Sequence, residues 1–137
     1  MKFFRFWGPA ILWMAVIFLA STRESVQVSD EFTINFLFFK TLHVIEYAIL
    51  FALYYRALKN TSHRKNSINA FGAAFLLTIL YAVSDEFHQT LVPTREGKLR
   101  DVIIDALGAT LSWITIAKLL PKAPKKLRSL AKSLQIV

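Results

Sequence analysis

The sequence predicts an all-α, polytopic membrane protein, a bundle of four transmembrane helices with both termini in the cytoplasm. Three observations predict it. Hydrophobic residues make up 55% of the 137 residues, more than a soluble domain of this size normally carries. They form four blocks, each close to the roughly 20 apolar residues that cross a bilayer core of about 30 Å. Lys and Arg are divided unequally between the segments that join these blocks, which sets the orientation.

The first block runs from about residue 3 to residue 20. Because Lys2 and Arg5 lie at its start, the alternative to a transmembrane helix is a cleaved signal peptide. Residues 19–21, Leu-Ala-Ser, do not form a convincing small-x-small cleavage site. We therefore interpret the block as an uncleaved helix. It carries no ionisable residue near its end, so we expect it to serve mainly in packing.

The other three predicted helices carry ionisable residues within their apolar stretches. They cover about residues 36–58, 68–89 and 101–120. Pro121 and Pro124 then end the fourth helix, since proline removes a helix hydrogen bond. We assign residues 1–121 to one transmembrane domain and residues 122–137 to a basic cytoplasmic tail. This tail is basic enough to lie on an anionic membrane surface as a short amphipathic helix.

The flanking charges predict the orientation. Twelve of the 17 Lys and Arg residues lie in the N-terminal segment, the second loop and the C-terminal segment. The remaining five lie on the opposite side: Arg23, Lys40, Arg95, Lys98 and Arg100. The positive-inside rule therefore places both termini in the cytoplasm. All nine acids lie toward the outer side: Glu24, Asp30, Glu31, Glu46, Asp85, Glu86, Glu96, Asp101 and Asp105. The rule does not require that placement, so it needs a separate reason.

Composition also excludes some functions. The net charge of +8 would favour a nucleic-acid partner in a soluble protein, but no nucleic-acid motif accompanies it. The basic residues instead flank apolar blocks, as in membrane proteins. The chain has no cysteine, which excludes a disulfide, a thiolate nucleophile and a zinc–thiolate site. We expect membrane lipids as partners and no nucleic acid.

Three of the predicted helices carry a polar face at the same outer end. On the second helix the face consists of Lys40, His43, Glu46 and Tyr47. On the third it consists of Thr78, Tyr81, Asp85, His88 and Gln89, with Glu86 beside it. On the fourth, Asp101, Asp105, Gly108 and Ser112 form a stripe whose small residues allow close helix approach. We expect these faces to meet in a shallow, outward-facing pocket rimmed by the loop of residues 91–100.

Two interpretations of this cluster stay open. Ionisable groups within a membrane cost roughly 2.5–3.5 kcal/mol each and usually pair inside the protein, so the cluster could simply lock the helices together. The functional interpretation makes His43, Glu46, Asp85 and Glu86 candidates for acid–base catalysis or metal binding. Lys40, Arg95 and Arg100 suit a phosphate-bearing headgroup. The sequence has no HExxH, P-loop or GxSxG motif and names no metal or cofactor.

Four short motifs in this order resemble the VanZ-like membrane protein family. They are K-x-x-H-x-x-E-Y at residues 40–47, D-E-x-x-Q at 85–89, P-x-R at 93–95 and D-x-x-x-D-x-x-G at 101–108. The family's polar signature falls on Lys40, His43, Glu46, Tyr47, Asp85, Glu86, Gln89, Arg95, Asp101, Asp105 and Gly108. Two positions depart from it, since Thr94 replaces a glycine and Ser112 stands where a second glycine is common. We take the signature residues up to Asp105 as candidate ligand-binding residues.

The resemblance implies a bacterial cytoplasmic membrane protein with a role in the cell envelope. The founding members of the family are accessory proteins of glycopeptide resistance, associated with teicoplanin, and no reaction is attached to the family. Our first hypothesis is a non-enzymatic accessory protein that binds a lipid or lipid-linked precursor headgroup in the outer pocket. The alternative is an intramembrane hydrolase or transferase that uses Glu46, Asp85 and His43. A small transporter is a third hypothesis, although four helices are few for a pathway without dimerisation.

Overall fold

The computed structural model describes residues 2–22, 30–61, 67–93 and 97–136, and every structural statement below concerns these ranges. They form five α-helices, with no strand among them: α1 (Lys2–Ser21), α2 (Phe32–Thr61), α3 (Ser67–Gln89), α4 (Leu99–Ile114) and α5 (Lys125–Ser133). A π-helical turn, Thr115–Leu119, and a 3-10 turn, Leu120–Lys122, extend α4. The predicted all-helical class is confirmed.

Four of the helical segments are long and apolar enough to cross a membrane: Lys2–Ser21, Phe32–Thr61, Asn69–Gln89 and Leu99–Lys122. This confirms the four predicted spans. The second begins four residues earlier and ends three residues later than expected. With 30 residues, α2 is about 45 Å long, longer than a bilayer core of roughly 30 Å. The cytoplasmic placement of the termini stays a prediction.

Helix α2 occupies the centre of the bundle and packs against α1, α3 and α4. Tyr47, Leu50 and Phe51 of α2 are fully buried. Toward the C-terminal half of α2, stacked aromatic rings join three helices: Tyr55 lies 4.1 Å from Phe71, and Phe71 lies 5.6 Å from Trp113, between ring centroids. These rings supply large contact areas with defined geometry, so they fix how α3 and α4 rest on α2.

The outer surface of the bundle is apolar. Leu12, Leu80 and Leu107 are 69%, 57% and 54% exposed, although they belong to three different helices. In water such a continuous apolar surface would favour association. On four helices of membrane-spanning length it is the surface that hydrocarbon chains would cover. The buried acids lie inside, at one end.

The two ends of the bundle differ in chemistry. At one end α1 terminates, α2 begins, α3 terminates and α4 begins; we call this the polar end. At the other, α1 begins, α2 terminates, α3 begins and α4 is extended toward α5; we call this the basic end. Because α2 and α4 both start at the polar end, they run parallel, and this arrangement sets the order of the contacts between them.

Candidate functional site

Helices α2 and α4 are joined by two charged contacts, one turn apart. Lys40 Nζ lies 2.6 Å from Asp101 Oδ2, and His43 Nδ1 lies 3.1 Å from Asp105 Oδ1. The acids occupy positions i and i+4 of α4, and the bases occupy i and i+3 of α2, so each helix presents one face to the other. The parallel direction of the helices keeps both pairs in the same order. The two predicted polar faces therefore do meet.

Just below these pairs the backbones come into close contact. A Cβ atom on Gly108 would collide with the backbone carbonyl of Val44. Only glycine fits this position without displacing α2 or α4, which explains the small residue in the predicted stripe. Ser112, one turn further along α4, is half-buried. The close approach at Gly108 holds Asp105 against α2.

Asp85 of α3 forms the third side of the cluster and is 3% exposed. Its Oδ1 accepts a hydrogen bond from the hydroxyl of Ser21 at 2.6 Å. Its Oδ2 accepts one from the amide of Gln89, one turn along α3, at 3.0 Å. Both carboxylate oxygens are thus held in a fixed orientation, as a buried charge requires.

Ser21 was not among the predicted site residues. The first helix, expected to serve mainly in packing, also supplies a hydrogen bond to the cluster. Helix α1 also contributes Trp13, whose indole N–H donates to the backbone carbonyl of Glu46 at 2.9 Å. Tyr81 of α3 in turn donates to the backbone carbonyl of Met14 at 2.6 Å. A serine at the end of an apolar helix carries little sequence signal of its own. Only the packing of α1 beside α3 shows that its hydroxyl reaches Asp85.

A cavity of about 110 Å³ lies between α1, α2 and α3 and is partly open to the surface. One part of its wall is polar and the other is apolar. The polar part consists of Ser21, His43, Glu46 and Asp85; the apolar part consists of Ile17, Ala20, Phe39 and Leu42. The positions on α2 follow a spacing of three and four residues, so a single face of that helix lines the cavity.

Tyr47 lies beneath this cavity and is fully buried. Its ring is nearly parallel to that of His43, with 6.4 Å between centroids. Its hydroxyl lies near the carboxylate of Asp85, whereas Oδ2 of Asp105 has no hydrogen-bond partner among the described residues. Buried polar atoms are normally satisfied by protein, water or a ligand, because leaving one unpaired costs about 1–3 kcal/mol. Oδ2 of Asp105 is therefore a place suited to a further polar group.

Of the predicted site residues, His43, Glu46 and Asp85 line this cavity, and the other described ones lie around it. Glu86, although next to Asp85, faces α4, where its carboxylate accepts the backbone N–H of Lys98 at 2.8 Å. A carboxylate is favourable there, at the start of a helix. Lys40 and Asp101 pair beside the cavity without lining it. Arg95 lies outside the described residues.

Arg100, predicted to hold a phosphate, is at the rim of the polar end. Its side chain is 59% exposed, its Nε lies 3.5 Å from Asp101 Oδ1, and its guanidinium stands 5.0 Å from the ring centre of Phe36. Within the described ranges, no three His, Asp or Glu side chains are arranged to hold a metal ion. The arrangement instead provides hydrogen-bond acceptors, one imidazole and two cations at its edge.

The sequence model of the VanZ/LLP1 family matches residues 6–120 of this chain. The chain belongs to the VanZ/LLP1 family. No curated protein and no solved structure matches it significantly. The family resemblance predicted from the four motifs is confirmed.

In this VanZ/LLP1 protein the matched region includes nearly all of α1, all of α2, α3 and α4, and every residue of the polar cluster. Helix α5 lies beyond it. The family membership and the apolar helices together establish a VanZ-like membrane protein.

Proposed function

We propose that this protein binds the headgroup of a membrane lipid, or of a lipid-linked precursor of the cell envelope, in the cavity between α1, α2 and α3. The single observation that carries the proposal is the divided wall of this cavity. A ligand with a polar headgroup and an apolar chain matches such a wall. The volume of about 110 Å³ has room for a few water-sized groups, hence for part of a headgroup and not for a whole lipid.

The polar wall favours hydrogen-bond donors. Carboxylates such as Glu46 and Asp85 only accept hydrogen bonds when ionised. His43 has its Nδ1 engaged by Asp105, and its Nε2 makes no hydrogen bond with the described residues. Hydroxyl or ammonium groups of a headgroup therefore suit the cavity better than a bare phosphate.

The phosphate of the same ligand suits the edge of the cluster. Lys40 and Arg100 share one acid, Asp101, so this group of three carries one positive charge in excess. Both cations are accessible, since their side chains are 19% and 59% exposed. Cations of this kind bind phosphate oxygens through charge-assisted hydrogen bonds. The proposed ligand thus places its phosphate near Arg100 and its hydroxyl or amino group near Glu46.

Native mass spectrometry of the protein released from nanodiscs tests the proposal. We expect retention of phosphatidylglycerol or phosphatidylethanolamine, which carry donors, above that of phosphatidic acid with matched chains. Glu46→Gln and Asp85→Asn should each lower retention by about tenfold, the effect of losing about 1.4 kcal/mol. Ser21→Ala should lower it less, because it acts through Asp85.

Two matched variants serve as controls. Asp30→Asn removes an exposed acid near the start of α2, and Glu86→Gln removes a buried acid that does not line the cavity. Both should retain lipid like the unmodified protein. Equal retention of all three lipids by every variant would show that the cavity selects no headgroup, and the proposal would then fail.

A second candidate function is acid–base catalysis on a bound headgroup. One observation favours it: Asp105 orients the imidazole of His43 through Nδ1, and the ring lines the cavity. Such an arrangement leaves Nε2 to take a proton from water or a hydroxyl group. Incubation with lipid followed by mass analysis of the products tests it. Loss of turnover in both His43→Gln and Glu46→Gln, with lipid still retained by His43→Gln, would support catalysis. If the unmodified protein formed no product from these lipids, catalysis on them would be rejected.

The proposed setting is the bacterial cytoplasmic membrane, with the polar end facing outward and both termini inside. The excess of Lys and Arg at the basic end supports this orientation. A link to teicoplanin, which the family resemblance implies, stays a prediction of its own. Expression in a glycopeptide-susceptible bacterium should then raise the inhibitory concentration of teicoplanin more than that of vancomycin. If expression left the ratio of the two inhibitory concentrations unchanged, the protein would not confer this resistance.

A further inference from the structure

Helix α5 has one apolar and one basic side. Leu127 and Leu130 of α5 and Leu134 at its C-terminal cap are spaced three and four residues apart, so they fall within about 60° of one another around the helix axis. They are 53%, 55% and 49% exposed. The basic residues of this segment are also exposed: Lys122, Lys125, Lys126, Arg128 and Lys132. At nine residues, α5 is far too short to span a membrane.

The position of α5 is fixed by α2. Three side chains near the end of α2 donate hydrogen bonds to the backbone that follows α5. Arg56 Nε donates to the carbonyl of Leu134 at 2.7 Å, Asn60 to that of Gln135 at 3.0 Å, and Lys59 to that of Ile136 at 3.3 Å. Ile136 also packs against the bundle core. The predicted tail is therefore anchored across the basic end instead of extending freely from it.

The charge of this segment has no counterpart within it. Residues 122–137 contain no Asp or Glu. The described acids all lie at the polar end or in the helix halves next to it: Asp30, Glu31, Glu46, Asp85, Glu86, Asp101 and Asp105. The basic side of α5 thus faces no carboxylate among the described residues, which leaves it available to an anionic surface.

We propose that α5 is an interfacial helix that seats the basic end on an anionic lipid surface, with Leu127, Leu130 and Leu134 immersed at the headgroup boundary. An apolar stripe flanked by lysines and arginine is the pattern that binds such surfaces, since burial and attraction to phosphate act together. The lysine stems add apolar contact while their ammonium groups reach the phosphates. Because α5 lies at the basic end and the headgroup cavity at the polar end, the two proposals can be tested separately.

The absence of cysteine permits a direct test with the full chain. Leu130→Cys lies in the apolar stripe, and Ser129→Cys lies about 100° away around α5, between Lys125 and Lys126 on the basic side. Each is labelled with a nitroxide and placed in nanodiscs. With about 30% phosphatidylglycerol in phosphatidylcholine, the label at 130 should collide with oxygen and be shielded from a water-soluble nickel complex. The label at 129 should show the reverse. In pure phosphatidylcholine the ratio of immersed to free label at 130 should fall.

Variants that lack one basic residue separate electrostatic attraction from apolar burial. Lys125→Gln and Lys126→Gln should each lower the immersed-to-free ratio at 130 by about fivefold in anionic nanodiscs, the effect of one basic residue near such a surface. Lys2→Gln, at the same end but outside α5, should change it less. Retained helicity and monodispersity would show that each variant is folded.

Other occupants of the apolar stripe give different outcomes. Strong spin–spin broadening at 130 would show that the stripe meets a second copy of the chain, and would overturn the proposal. Equal nickel accessibility at 129 and 130 in anionic nanodiscs would show that α5 stays in water, and would also overturn it. Immersion of equal extent in neutral and anionic lipid would overturn the requirement for an anionic surface.

Discussion

His43 Nδ1 and Asp105 Oδ1 are 3.1 Å apart, and the Asp105 side chain is wholly buried. The contact lies one turn deeper in the bundle than that between Lys40 and Asp101. Water screens the deeper pair less, and removing one partner alone would leave a buried polar group unpaired. The same pair orients the imidazole toward the cavity, which joins the stability of the bundle to the geometry of the proposed site.

The first prediction concerns this pair. A double-mutant cycle with His43→Ala and Asp105→Ala should give a coupling energy of about 0.5–3 kcal/mol, the range for residues in direct contact. Unfolding in mixed micelles by increasing fractions of denaturing detergent provides the measurement. A cycle between His43→Ala and Thr110→Ala, whose hydroxyl donates to its own helix, should show no coupling. Coupling of similar size in both cycles would mean that the contact is not what joins the helices.

The second prediction concerns the close contact of α2 with α4. Gly108→Ala places a methyl group against the Val44 carbonyl, which neither backbone can avoid without moving. We expect a loss of about 1–3 kcal/mol in the free energy of unfolding, as for other overpacked sites. Gly72→Ala is the matched control, since nothing lies within 4 Å of its added Cβ. A destabilisation by Gly72→Ala as large as that by Gly108→Ala would remove the steric explanation.

The third prediction tests the role of α1 in the polar cluster. Ser21→Ala removes the hydrogen bond to the buried Asp85 and should destabilise the bundle by about 1–3 kcal/mol. Thr22→Ala is a neighbouring control, because the Thr22 hydroxyl donates only to the carbonyl of Phe18 and is exposed. Thermal unfolding in detergent compares the two. If both changes had the same small effect, Ser21 would not be holding Asp85.

The fourth prediction concerns orientation. Asp30→Cys at the polar end and Lys126→Cys at the basic end each introduce the single thiol of the chain. With the polar end outside, a membrane-impermeant maleimide should label the first variant in intact cells and the second only after permeabilisation. The opposite labelling pattern would reverse the orientation that the positive-inside rule predicts. Labelling of both in detergent provides the control for thiol reactivity.

Much of the fold could be predicted because apolar length alone identifies a membrane-spanning helix. The block ending at Gln89 matches α3 to within a residue at each end. The ends of α2 were less accurate, since Phe32 and Thr61 lie in polar surroundings where hydropathy gives no boundary. Helical periodicity also placed Lys40 and His43 on one face and Asp101 and Asp105 on another. These are local properties, fixed by the 100° turn of each residue.

The sequence by itself therefore determined the helices, their polar faces, the basic and acidic ends, and membership of the VanZ/LLP1 family. Only the tertiary structure decided which acid meets which base, that Ser21 reaches Asp85, and that Glu86 turns away from the cavity toward Lys98. Adjacent residues on a helix point about 100° apart, so Asp85 and Glu86 meet different neighbours once α3 is packed. That packing depends on contacts between distant residues, such as Gly108 against Val44, which no local pattern contains.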